Sequence, residues 1–196
     1  MQIEQDRMAP LRTYLAGMTR LVETANGDEA RILDEGELLL KELVGSDGWL
    51  PDYCAEQHAQ HYMQYLLYCD PLERFSVVSF VWGPGQTTPI HDHTVWGLVG
   101  ILRGAELERS YRRVDNALVP GKEARLLPGM VSRLSPRDGD IHQVANAFQD
   151  RVSVSIHVYG ANIGKVSRSV FDAATGAAKS FVSGYSNNAL PNAWAM

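Results

Sequence analysis

Met8, Leu11, Leu15, Met18 and Val22 recur at intervals of three and four, with polar positions such as Gln5, Arg12, Thr19 and Glu23 between them. That spacing lines one stripe of a helix and predicts an amphipathic helical start to the chain. Asn26-Gly27 ends it, and Asp28 is placed to cap a second helix through Leu38, Leu39 and Leu40 to about Gly45. From His61 the period changes to short runs rich in aromatic and β-branched residues, each bounded by Gly, Pro, Asp or Asn. These runs predict strands over 62–68, 75–82, 95–102, 105–111, 130–134, 141–146, 152–159, 165–172 and 178–182. Strands so short and so numerous, with no helical period between them, imply a mainly β fold, an antiparallel sandwich or barrel. The organisation expected is one domain: a helical segment over 1–60 packed on a barrel over 61–185, then an extended surface tail over 186–196.

Composition changes that picture little. A chain of 196 residues, 45% hydrophobic and 21% charged, has the make-up of one globular domain able to bury a core. A net charge of −5 without a basic stripe argues against nucleic acid as a partner. No basic-then-apolar order opens the chain and no apolar run is long enough to span a bilayer, so the expectation is a cytoplasmic protein without a membrane partner, a monomer or weak homo-oligomer. Cys54 and Cys69 do not form a disulfide framework or a zinc-ribbon pattern, and both are expected to be buried, inert thiols.

The histidines carry the candidate chemistry. Residues two apart on a strand face the same side, so His91 and His93 present their rings together, about 7 Å apart along the backbone. Pro89 and Asp92 place the pair at the start of a strand, near a barrel mouth, and His142 on another strand offers a third nitrogen. Three neutral imidazoles with no evident carboxylate nearby suit iron, zinc, copper or nickel and leave coordination positions open. A His-x-His pair alone fits satisfied pocket histidines equally well. What strengthens the metal reading is the glycine spacing: Gly85-x5-His91-x-His93-x3-Gly97-x6-Gly104, and later Gly139-x2-His142-x3-Asn146.

With these spacings the sequence resembles the cupin superfamily, and the resemblance implies a cupin β-barrel, a jelly-roll-like antiparallel sandwich. The family's glutamate ligand falls on Gly97, leaving three histidines and a vacancy, and Pro136-x2-Gly139 is one residue longer than the family's second motif. Loss of that glutamate is similar to the thiol dioxygenases of the cysteine dioxygenase family. Ser155-x-His157-x-Tyr159 shares one strand face and resembles that family's Ser-His-Tyr relay, while Tyr62-x-Gln64-x-Leu66 resembles its Tyr-x-Arg-x-Leu strand with Gln64 replacing the arginine. The resemblance therefore implies Fe(II) on His91, His93 and His142, catalytic roles for Ser155, His157 and Tyr159, and a small thiol and O2 as substrates. The family's crosslinking cysteine also falls on Gly97, which implies no thioether on Tyr159 and a bacterial type. Gln64 resembles the branch that prefers 3-mercaptopropionate, with Arg168 as candidate for the displaced positive charge. L-cysteine oxidation and a non-catalytic ligand-binding cupin remain alternatives. His58 and His61 lack a third ligand, Trp82 and Trp96 read as core, and Glu106 and Glu108 read as an exposed edge paired with Arg109, Arg112 and Arg113.

Overall fold

The computed structural model describes residues 6–115 and 117–194. Helix α1 spans Ala9–Ala25 and buries Leu11, Leu15 and Met18; it stops at Asn26, whose φ of 48° is left-handed. Helix α2 spans Glu29–Val44, and the Asp28 carboxylate accepts the Arg31 N–H at 3.2 Å as its cap. Of the three consecutive leucines only Leu40 is buried, since a helix turns its successive residues 100° apart; Leu38 stands in solvent.

Eleven strands follow among the described residues: β1 Met63–Cys69, β2 Ser76–Trp82, β3 Ile90–His91, β4 Gly97–Arg103, β5 Glu106–Val114, β6 Ala117–Leu126, β7 Val131–Leu134, β8 His142–Asn146, β9 Ser153–Tyr159, β10 Arg168–Phe171 and β11 Ala178–Phe181. They form two antiparallel sheets, ordered β1-β2-β9-β4-β7 and β11-β10-β3-β8-β5-β6. The architecture is mainly β, an antiparallel two-sheet sandwich with two N-terminal helices. Two expectations need correction. Strand β6 was not foreseen, and the run over 165–172 opens as a short 3-10 turn, Ile163–Lys165, so that only Arg168–Phe171 is strand.

Both faces of the five-stranded sheet are covered. On one, Val77, Val81, Leu98, Leu102, Val154, Ile156 and Val158 pack with the helices. On the other, Val78, Phe80, Trp82, Val99, Ile101 and Tyr159 face the second sheet. Alternate residues of β2 and β9 thus enter two different cores, which is why every residue of both strands is buried. Helix α2 lies so close to β4 that a Cβ at Gly100 would sit 2.9 Å from Leu40 and 3.0 Å from Val44.

The segment after β11 runs along β1. Ser186 N–H donates to the Gln64 carbonyl at 2.7 Å, and Gln64 N–H donates to Ser186 Oγ at 2.9 Å. Asn187 Oδ1 accepts the Leu66 N–H at 2.8 Å, and its Nδ2 donates to the Leu66 carbonyl at 2.9 Å, so one amide side chain imitates a strand partner. Farther on, Ala193 is buried against the helices and its carbonyl accepts from Arg12 at 2.7 Å. Among the described residues no helix is long and apolar enough to cross a membrane.

Candidate metal centre

Pairing of β3 with β8 sets His91 directly opposite His142, and His93 follows as β3 ends. The three ring centroids are 4.8 Å apart in each pairing, and one ligand nitrogen from each residue lies within 4.8 Å of the others. Each Nδ1 already has an oxygen partner: the Pro89 carbonyl at 3.0 Å from His91, the Asp140 carbonyl at 3.3 Å from His93, and Glu108 Oε1 at 2.6 Å from His142. Carbonyl and carboxylate oxygens only accept, so Nδ1 carries the hydrogen and Nε2 keeps its lone pair. Burial holds the pKa values of His91 and His93 well below the ordinary imidazole value, and the neighbouring histidines lower them further. His93 Nε2 is buried without a hydrogen-bond partner. A buried lone pair of this kind among neutral imidazoles fits a borderline divalent cation, and the donor set accepts iron. The turn after β3 is pinned by Asp140, whose carboxylate accepts the backbone N–H groups of His93 at 2.7 Å and Thr94 at 2.9 Å.

Glu106 and Glu108 lie inside the sandwich, not on the exposed edge expected for them. Strand parity is the reason: they share the inner face of β5, whereas Arg109 falls on the outer face and pairs with Glu123. A carboxylate is therefore present beside the histidines after all. Glu108 bonds His142 and accepts from Ser132 Oγ at 2.6 Å; burial pushes its pKa up, but the His142 and Ser132 contacts outweigh that and leave it lowered. Glu106 is fully buried, and desolvation pushes its pKa up to about 8. Two acidic residues at period two, followed by a strongly basic run, were the only signal available in the sequence.

Ser155, His157 and Tyr159 occupy one face of β9 and touch in series, Ser155 Oγ to His157 Nε2 at 2.8 Å and His157 Nδ1 to Tyr159 Oη at 2.8 Å. Trp82 Nε1 donates to Ser155 Oγ at 3.1 Å. Burial keeps His157 neutral by lowering its pKa and raises that of Tyr159 against the opposing charge of Arg168. The Tyr159 ring stacks on His93 at 5.3 Å and lies over Gly97, where a Cβ would approach its Cδ1 to 3.1 Å. Removal of the side chain at 97 thus leaves room for the phenol.

A cavity of about 190 Å³ opens beside the triad and is lined by Gln64, Arg168, Tyr62, Tyr159, His91 and His142, with Phe80, Trp82 and Phe181 as apolar walls. Arg168 is only 5% exposed; it donates to Ser183 Oγ at 2.7 Å, lies 4.7 Å over the Phe181 ring, and leaves Nε without a partner. Burial lowers its pKa. No acidic side chain lines this cavity among the described residues. Outside it, the His58 and His61 rings lie 3.9 Å apart, with no third ligand beside them among the described residues. Cys54 is buried, its thiol pushed up to about 12, while Cys69 is half-buried rather than buried as expected.

The family profile described as Cysteine dioxygenase type I matches residues 58–172, more than half of the chain. Among solved structures, a protein with a double-stranded β-helix domain from Klebsiella pneumoniae is 16% identical, with 57% of this chain and 82% of that one covered at a TM-score of 0.47. A cupin superfamily protein from Desulfitobacterium hafniense is 14% identical, covering 55% and 84% at 0.43. A cupin 2 conserved barrel protein from Rhodopseudomonas palustris is 17% identical, covering 60% and 74% at 0.45.

Proposed function

The chain belongs to the cysteine dioxygenase type I family, and from that premise we propose that it is an iron-dependent thiol dioxygenase whose preferred substrate is a small thiol carboxylate, 3-mercaptopropionate first. The observation that carries the substrate is the charge inventory of the cavity: one cation, Arg168, and no anion among its described lining residues. A carboxylate finds Arg168 with a free Nε, and Gln64 beside it as a neutral hydrogen-bonding partner. The ammonium group of cysteine would find no counter-charge, and a buried unpaired charge is costly. The cavity size suits a molecule of a few heavy atoms.

His91, His93 and His142 would hold the iron. When bound, it supplies the redox chemistry by which thiolate and O2 combine, both oxygen atoms ending on sulfur as a sulfinate. Arg168 and Gln64 fix the carboxylate end, so the sulfur end is directed at the triad. Tyr159 donates a hydrogen bond into the cavity, oriented from behind by His157 and Ser155. Phe80, Trp82 and Phe181 exclude water from the reacting groups.

The test is oxygen uptake with mass-spectrometric detection of sulfinate, on protein of measured iron content, across 3-mercaptopropionate, L-cysteine and cysteamine. The expected kcat/KM for 3-mercaptopropionate exceeds that for cysteine by about tenfold or more, the cost of an unpaired buried charge. A preference for cysteine would overturn the substrate, and iron-loaded protein that consumes O2 with none of the three would overturn the enzyme reading.

A further inference from the structure

Arg168 is the cation that would meet a substrate carboxylate, and its own support comes from the short stretch of chain that follows the last strand. Arg168 opens β10 and Phe181 closes β11. The two are partners across that pairing, so both side chains stand on one face and the guanidinium lies over the ring, 4.7 Å from its centre. Extended backbone alternates its sides, and the alternation continues past β11: Val182 stands in solvent, while Ser183 returns to the cavity beside Phe181. There its Oγ accepts from Arg168 Nη2 at 2.7 Å.

Ser183 is held in place from both directions. Before it, the pairing of β10 with β11 fixes the chain. After it, Gly184 turns the chain with a left-handed φ of 64°, and its N–H donates to the Gly164 carbonyl at 3.0 Å. Tyr185 lies against Gly164, its Oη accepting the Gly164 N–H at 2.9 Å and donating to Asn162 Oδ1 at 2.6 Å. The hydroxyl is therefore a fixed acceptor. A guanidinium has five N–H donors and accepts nothing, and among the described residues Ser183 is the hydrogen-bond partner that Arg168 has.

We propose that Ser183 is a positioning residue, which orders the Arg168 guanidinium over Phe181 before substrate arrives and leaves Nε for the carboxylate of the thiol. The proposal rests on the thiol-carboxylate reading and adds to it the group that makes the cation selective. A long, rotamer-rich side chain loses freedom when it grips a ligand, and a contact that orders it beforehand removes that cost from binding. Without the hydroxyl, Arg168 keeps its charge and its place beside the aromatic ring, but its terminal bonds can turn and the substrate has to order them.

Calorimetry on zinc-loaded protein, in which no turnover occurs, measures the binding of 3-mercaptopropionate and of cysteamine, a thiol without a carboxylate. Ser183→Ala should weaken 3-mercaptopropionate about tenfold and leave cysteamine within about twofold. Ser183→Thr, which keeps the hydroxyl, should bind both thiols as the wild type does. In an Arg168→Ala background Ser183→Ala should add nothing, since the serine acts only through the arginine. Equal weakening of both thiols, weakening of neither, failure of threonine to restore binding, or additive losses in the double variant overturns the proposal. Should the alanine variant fail to fold, Ser183→Cys, close in size and a weak acceptor, takes its place with the same expectations. In the iron-loaded enzyme the loss should fall on KM for 3-mercaptopropionate; a loss confined to kcat overturns the role. Absence of O2 uptake with every thiol would remove the dioxygenase reading and leave the binding result standing.

Discussion

At the level of single residues, what separates His142 from the other two ligands is the partner behind it. His91 and His93 lean on backbone carbonyls, whereas Nδ1 of His142 meets a full negative charge on Glu108. A carboxylate there fixes the tautomer and makes Nε2 a stronger donor. Glu108→Gln should therefore weaken metal binding about 10- to 100-fold, measured by competition with a chelator of known affinity. Tyr159→Phe removes the proposed donor without touching the ligands, so iron content should hold while kcat drops about tenfold or more; unchanged kinetics would remove Tyr159 from the reaction. Arg168→Ala should lower kcat/KM for a thiol carboxylate by about 10- to 100-fold through loss of a charge-assisted pair, with cysteamine, which lacks the carboxylate, little affected. The Ser-x-His-x-Tyr row was legible because it shares one strand face, and the histidines because of their spacing; His91 meets His142 across paired strands while His93 lies just past the end of β3. Glu106 and Glu108 were not legible, because sequence proximity to Arg109 was given more weight than the parity that puts Arg109 on the opposite side.

Among elements, the fit between α2 and β4 depends on a missing side chain. Gly100→Val would push Leu40 and Val44 outward where even a Cβ has no room, and should cost about 1–3 kcal/mol, visible as a lower denaturation midpoint with iron content retained. The helices and the buried strands were readable from the sequence because burial imposes a period. Strand β6 is exposed along nearly its whole length and contains Pro120, Gly121, Lys122 and Glu123, so no buried face imprinted an alternation on it. Its pairing with β5 creates the strand, and that is long-range information. The same reason explains 163–165, where a 3-10 turn precedes the short β10.

For the molecule as a whole, the interior stores several neutral imidazoles. His91, His93 and His157 have folded pKa values below the ordinary 6.5, so below that pH the unfolded chain takes up protons that the folded one refuses. Stability of the metal-free protein should fall progressively as the solution is acidified through about 6 to 5, the three histidines outweighing Glu106, whose raised pKa of about 8 acts in the opposite direction, as read from urea midpoints. A midpoint that does not change over that window would contradict the burial of these rings. Adding a divalent metal at neutral pH should raise the melting temperature in proportion to the logarithm of its free concentration, because only the folded chain gathers all three ligands.

The Asn187 amide against Leu66 has a further consequence. β1 borders its sheet, and an uncovered border of this kind is a template on which a neighbouring molecule can lay down a strand of its own. By occupying both the donor and the acceptor of Leu66 within the same chain, Ser186 and Asn187 withdraw that template from strangers. Deprived of that cover, the protein would be expected to keep its chemistry for a time and to lose its solubility first.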